Sequence, residues 1–406
     1  MTSSSRVALK ITAALAILAT IGLAMACGGG SSSSKQTITP SGSNVATLSV
    51  NSGVTGNYAN GVFTSVIVCM PGTSTCQTIT DVLVDTGSYG LRLLSSSAGG
   101  TFNLSLPQVN DSSNHPIAEC TQFLDGSFLW GGVRTADIQI SGEKASSVPI
   151  NVFGDPAFAN IPTSCSQGGT DDNNVQALGA NGIIGVGVFE QDCGAFCVSG
   201  TMPPSGLYYS CPTSTTCAPA FATLAQQVTN PVALFPTDNN GVIIELPAVS
   251  SSGQPSATGS IVFGIGTQSN NGLGSAKVIP LNGSGLFTTT FKGMAYPQSF
   301  VDTGSNGFFF LDAATSGIPV CTDANFFYCP SSTQNLTATN AGTTVNFSVA
   351  NADSLFTNPN NFVFSNLAGP NPNSFDWGLP FFYGRNVFEA IEGKSTPGGT
   401  GPLIAY

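Results

Sequence analysis

The tetrapeptide Asp-Thr-Gly-Ser occurs twice, as Asp85-Thr86-Gly87-Ser88 and as Asp302-Thr303-Gly304-Ser305. One such copy reads as an Asx-type turn with a satisfied carboxylate. Two copies in like surroundings carry more. Each follows an apolar run, Val82-Leu83-Val84 and Phe300-Val301, and each continues apolar, through Leu91, Leu93 and Leu94 and through Phe308 to Leu311. If the halves of the chain are related by a pseudo-twofold axis, the two loops meet at it and bring their carboxylates within hydrogen-bond distance. Like charges that close cannot both ionise, so the pair holds one proton, with one apparent pKa depressed and the other raised. The ionised member can take a proton from water while the protonated member donates to a carbonyl oxygen, which allows hydrolysis without a nucleophilic side chain. Asp85 and Asp302 are therefore the candidate catalytic residues. Gly87 and Gly304 let backbone N–H groups approach the carboxylates, Ser88 and Ser305 can donate to the outer oxygens, and Thr86 and Thr303 can bond across to the opposite loop.

The elements that must hold such loops are strands. Only 8% of the 406 residues are charged while glycine (48) and proline (25) abound, a composition suited to many short strands joined by turns. The length suits two cores, and the division expected is an N-terminal β lobe over 45–255 carrying Asp85 and a C-terminal β lobe over 256–406 carrying Asp302. Strands are expected over Val62 to Cys69, Gln77 to Val84, Val133 to Ile140 and Val148 to Phe153. Helical spacing is confined to Ala218 to Val228, with a turn or two over Arg385 to Ile391 or after Asp312.

Other chemistries fare worse. A serine triad or a Cys/His pair would have to use the single histidine, His115, which lies in the polar loop Asn110 to Pro116, and no nucleophile elbow is present. The same scarcity, with no CxxC pair, argues against a zinc site, and no phosphate loop or dinucleotide fingerprint occurs, so neither metal nor cofactor is expected. A net charge of −11 repels nucleic acid. Of the two tryptophans, Trp377 fits a core strand, whereas Trp130 is expected to be partly exposed and is the candidate for a sugar platform.

Arg6 and Lys10 precede the apolar run Ile11 to Met25, which reads as an export signal over 1–26. Ala26 before Cys27, followed by the Gly/Ser-rich stretch to residue 44, resembles a bacterial lipoprotein start with cleavage before Cys27, lipid on its sulfur and a flexible tether. The motif lacks the usual leucine three positions before the cysteine. Gly28 in place of a retaining aspartate favours the outer membrane, and contact with the membrane is expected through this lipid alone. Ten cysteines remain in an oxidising context. Spacing does not fix their connectivity, but Cys69/Cys76, Cys193/Cys197, Cys211/Cys217 and Cys321/Cys329 each bracket a turn-rich stretch, leaving Cys120 with Cys165.

Taken with their order along the chain, these motifs resemble the pepsin family of aspartic proteases. Asn181-Gly182-Ile183-Ile184-Gly185-Val186-Gly187 resembles the strand that passes behind the first active-site loop, and Trp377-Gly378-Leu379-Pro380-Phe381-Phe382 occupies the corresponding place in the second half. Gly259 to Gly266 resembles the strand and turn that open the C-terminal lobe. The resemblance implies a mainly β, bilobal fold with a cleft between pseudo-twofold lobes, acting as a monomer on a polypeptide held in extended form. It also implies a flap hairpin, here Thr121 to Ala136, in which Phe123 falls where the family has a tyrosine; Tyr58 and Tyr89 are the tyrosines that could substitute. A phenyl ring can cover substrate but donates no hydrogen bond. No strongly basic prosegment is visible between Cys27 and Val45. The competing reading is thus a catalytically silent lipoprotein of the same fold that grips an extended peptide or glycan.

Overall fold

A computed structural model describes residues 42–324 and 326–406. The export signal, Cys27 and all but the end of the tether lie outside the described residues. Among those described, no helix is long and apolar enough to cross a membrane.

Strands dominate. A 16-stranded sheet runs through both halves of the chain and a seven-stranded sheet belongs to the C-terminal half. The four strands expected from sequence are present as Gly61–Cys69, Cys76–Asp85, Ser127–Ile140 and Glu143–Phe153. The halves are joined by a ribbon of strands. Val45–Asn51 pairs antiparallel with Ala257–Phe263, which pairs with Gly241–Leu246, which in turn pairs with Arg385–Ala390. In the first of these Ala46, Leu48 and Val50 alternate into the core, as a strand with one covered face requires. Gly241–Leu246 precedes residue 255 yet finds its partners in the C-terminal half.

Each half contains the same local arrangement. Cys76–Asp85 lies parallel to Gly182–Val186, with Asp85 opposite Gly185; the returning strand Tyr89–Leu94 runs antiparallel to Gly182–Val186 and parallel to Glu143–Phe153. In the second half Met294–Val301 lies parallel to Asn371–Trp377, and the returning strand Phe308–Leu311 runs antiparallel to Asn371–Trp377 and parallel to Ala368–Gly369. Strands enclosed on both faces need unbroken apolar runs, which Val82-Leu83-Val84 and Phe308 to Leu311 supply. The loop that follows each aspartate is wedged against a glycine. A Cβ at Gly185 would lie 2.4 Å from the Tyr89 nitrogen, and one at Gly378 would lie 2.1 Å from the Gly307 oxygen.

One helical expectation fails, and of the two places offered for a turn or two only the second holds a helix. Ala218 to Val228 contains the end of the strand Thr216–Pro219 and a single 3-10 turn, Leu224–Gln226, because Cys217 is tied to Cys211 and Ala218 pairs with Ser210. Arg385–Ala390 is an inner strand of the joining ribbon, where tertiary pairing overrides helical spacing. Directly after Asp312 comes a short helix, Ala313–Ser316, capped by the Asp312 side chain accepting from the Thr315 nitrogen at 2.7 Å. Five disulfides join Cys69–Cys76, Cys120–Cys165, Cys193–Cys197, Cys211–Cys217 and Cys321–Cys329, the pairs that bracket turns plus the remaining pair.

Candidate active site

The two Asp-Thr-Gly-Ser loops meet. The Thr86 nitrogen donates to Thr303 Oγ1 at 3.1 Å and the Thr303 nitrogen donates to Thr86 Oγ1 at 3.1 Å, a reciprocal clasp across the junction of the halves. Thr303 Oγ1 donates onward to the Val84 carbonyl at 2.8 Å. With each hydroxyl fixed at both ends, the loops cannot slide without leaving buried donors unpaired.

This clasp sets the carboxyls. The Gly87 nitrogen lies 2.9 Å from Asp85 Oδ1 and 3.2 Å from Asp302 Oδ1, so one N–H faces both inner oxygens. The Gly304 nitrogen donates to Asp302 Oδ1 at 2.7 Å. A Cβ placed on Gly304 would sit 2.6 Å from Asp85 Oδ1 and 3.0 Å from Asp302 Oδ1, which puts both oxygens within 3.0 Å of one point and explains why only glycine fits there. Ser88 donates to Asp85 Oδ2 at 2.5 Å and Ser305 to Asp302 Oδ2 at 2.8 Å. Both carboxyls have 0% of their surface exposed. Burial, the neighbouring Asp85 carboxyl and then Asp376 push the Asp302 pKa well up, and a direct hydrogen bond between Asp302 and Asp85 acts in the same direction. Two carboxyls this close share a proton.

Two further buried acids, neither picked out from sequence, complete the centre. Asp376 Oδ2 lies 2.7 Å from the Ser305 hydroxyl, and Glu389 is hydrogen-bonded to Thr86. Burial raises the pKa of each, Asp85 raises both further, and the hydroxyl partners pull them partly back. Tyr89 stands by the same group; burial first, then Glu389, Asp85 and Asp302, hold its phenol neutral far above neutral pH. Its ring sits edge-on to Phe189 at 5.1 Å.

A second buried polar cluster fastens the expected flap hairpin. Arg92, on the strand after the first motif, donates to Glu119 and, from Nε, to Thr121 Oγ1 at 2.7 Å, both on the strand Ile117–Gln122. It also reaches Asp192 Oδ2 at 3.2 Å, whose other oxygen accepts from the Tyr208 hydroxyl at 2.6 Å. Burial and Glu119 raise Asp192, so this arginine holds two carboxyls that also share hydrogen bonding with each other. Ile117–Gln122 is flanked on its far side by Tyr208–Thr213, making the hairpin an inner part of the large sheet. Phe123 opens its turn, donating its N–H to the Ser127 carbonyl at 2.9 Å and accepting from the Gly126 N–H at 3.0 Å, and its ring, 5% exposed, belongs to a cluster with Tyr58, Phe63, Leu83 and Ile183. Tyr58 is likewise taken up in that cluster, edge-on to Phe63.

Trp130 is 2% exposed, donates to the Phe158 carbonyl at 2.7 Å and packs edge-on to Tyr209, which corrects the expectation of a partly exposed sugar platform: the extra strand Tyr208–Thr213 covers it. Trp377 packs in the core as expected. His115 is 40% exposed with Nδ1 3.6 Å from Asp111, apart from the dyad.

The family described as "Protein of unknown function (DUF3443)" matches residues 40–406. No curated protein matches the chain. Among solved structures, the chain is similar to the aspartic proteinase from Irpex lacteus, at 15% identity and a TM-score of 0.53, over 89% of this chain and 96% of that one. At this identity the likeness is one of fold. The chain therefore belongs to the DUF3443 family, and its fold is that of the bilobal, pepsin-like aspartic proteinases.

Proposed function

We propose that this protein is an aspartic endopeptidase in which Asp85 and Asp302 activate water against a peptide bond. The observation that carries the reading is the single Gly87 N–H facing Asp85 Oδ1 and Asp302 Oδ1 at 2.9 and 3.2 Å, which holds two buried carboxyls as one proton-sharing unit. The ionised carboxyl takes a proton from water as its oxygen bonds to the scissile carbonyl carbon; the protonated carboxyl donates to the carbonyl oxygen. The resulting gem-diol then breaks its C–N bond as a proton passes to the amine. Ser88, Ser305, Gly87 and Gly304 hold the carboxyls, and Thr86 with Thr303 holds the loops. The substrate is a polypeptide in extended form lying between the lobes. The protein works in the cell envelope as a monomer, anchored by lipid on Cys27.

Cleavage of unfolded polypeptides by the purified mature protein, followed from strongly acidic to neutral pH, tests this reading. Cleavage should be best below neutral pH and should be abolished by Asp85→Asn and by Asp302→Asn, each isosteric with the carboxyl it replaces. The second reading, a silent protein that grips extended peptide, draws on the fully buried dyad and on the packing of Phe123 within its cluster. Peptide binding without any cleavage that depends on Asp85 would replace the first reading by the second.

A further inference from the structure

The hydroxyl of Ser305 sits between two carboxyl oxygens, 2.8 Å from Asp302 Oδ2 and 2.7 Å from Asp376 Oδ2. A serine hydroxyl has one hydrogen. It can satisfy one of these contacts; the other is a hydrogen bond only if the carboxyl on that side carries the proton and donates to Ser305 Oγ. Three oxygens in a row therefore require a proton on one of the two acids: the pair's own proton, placed on Asp302, or a further one on Asp376.

The surroundings decide which. Burial and Asp85 raise Asp302 as well, but it accepts from the Gly304 N–H at 2.7 Å and from the Gly87 N–H at 3.2 Å, two bonds that favour its ionised form over that of an acid without them. Asp376 is 1% exposed and, among the described residues, receives no backbone N–H and has no hydrogen-bond partner for its buried Oδ1. An ionised carboxyl so placed would lose its hydration with at most the one Ser305 hydrogen in return. The charged groups that act on it are Asp85 and Asp302, both acids. Of the strands that flank it, Met294–Val301 and Phe308–Leu311, the one titratable side chain is Tyr296, which packs on Phe375 and so faces away from the neighbouring Asp376.

We propose that Asp376 is a proton-holding positioning residue for the dyad: as a carboxylic acid it donates from Oδ2 to Ser305 Oγ and thereby turns the Ser305 hydrogen onto Asp302 Oδ2. When Asp376 loses its proton, Ser305 is drawn toward it, Asp302 loses an outer donor, and a second negative charge joins a pair that tolerates one. Ionisation of Asp376 then shapes the alkaline limb of activity. The inference rests on the protease reading for its effect on catalysis, whereas the protonation state of Asp376 does not depend on turnover.

Asp376→Asn tests both parts, because the amide supplies a permanent donor to Ser305 and cannot ionise. Infrared difference spectra in heavy water near neutral pH, wild type minus variant, should show loss of a protonated-carboxyl band. The alkaline midpoint of peptide cleavage should move up by about one pH unit. Loss of a carboxylate band instead, or an unmoved alkaline limb in an active variant, would overturn the proposal. A wild type that is silent on peptides but shows the protonated band would support the proton placement and remove the protease reading. If the amide variant does not fold, Asp376→Ile carries the same two readouts, since the first half of the molecule holds Ile183 at the equivalent position.

Discussion

The two Asp-Thr-Gly-Ser loops share a backbone and differ in what stands behind them. Register makes the correspondence: Leu83 lies opposite Ile183 in the first half, and Phe300 lies opposite Asp376 in the second. Behind the first loop the position is Ile183, packed with Leu83 and Phe63, and Ser88 serves Asp85 alone. Behind the second loop it is Asp376, and Ser305 serves two acids. The threonines diverge as well. Thr303 donates to a backbone carbonyl, that of Val84, whereas Thr86 meets the carboxyl of Glu389. The C-terminal half thus supplies three of the four acids gathered here. A symmetric scaffold fixes where the carboxyls sit, and unsymmetric neighbours decide where the protons go.

The symmetric part should fail symmetrically. Gly185→Ala and Gly378→Ala each push a methyl into backbone of the returning loop, where nothing flexible can give way. Each should cost about 3 kcal/mol or more in denaturant unfolding with disulfides intact. A large loss at one glycine with tolerance at the other would break the equivalence of the halves.

The clasp should show the first asymmetry. Thr303→Val removes the acceptor for Thr86 N–H and the donor to Val84, both buried, and should cost about 2–4 kcal/mol. In Thr86→Val the released partner is the Glu389 carboxyl, whose pKa burial raises and which can answer the loss by holding a proton, so the loss should be about 1 kcal/mol smaller. Equal losses would mean that Glu389 carries charge.

Protonation gives the third difference. Asp302, Asp376 and Glu389 have raised pKa values in the folded state, so the folded protein binds more protons than the unfolded chain once pH exceeds the ordinary carboxyl range. Stability is then fullest in acid and falls as pH rises toward the folded values, by up to about 1.4 kcal/mol per pH unit for each proton retained. Asp376→Asn and Glu389→Gln should each flatten the decline, while Ile183→Val, at the matching position of the first half, should leave its slope unchanged. Thermal unfolding across pH checks this.

The smallest effect lies outside the centre. Burial and then Asp238 raise the pKa of Glu143 to about 7. The same sign applies: its contribution is present in acid and is lost between the ordinary glutamate range and neutrality. Glu143→Gln should recover about 1 kcal/mol at neutral pH and nothing in acid.

What could be read in the sequence follows from what repeats and what neighbours. The twin motifs, the apolar runs before them and the glycine strands behind them are local signals whose register the fold preserves. Four disulfides were legible because their cysteines close short turns. Arg92, Asp376 and Glu389 were not. Each stands between apolar residues, as in Leu91-Arg92-Leu93 and Phe388-Glu389-Ala390, and strand alternation sends such a polar residue toward solvent. Here the opposite face is covered by distant chain: the Ile117–Gln122 strand and Asp192 over Arg92, and the meeting loops over Asp376 and Glu389. Only the closed structure shows that pairing or a proton keeps these groups tolerable. The helix expected over Ala218 to Val228 failed for a related reason, since the Cys211–Cys217 disulfide and pairing with Ser210 outweigh spacing.

The central claim is that Asp85 and Asp302 act as one proton-sharing pair, and calorimetric binding of a pepstatin-like transition-state mimic at acidic pH tests it most directly. Wild type should bind one equivalent, and Asp85→Asn and Asp302→Asn, folded as judged by thermal unfolding, should each lose that binding. Binding that survives in either variant, or a wild type that does not bind at all, would contradict the account.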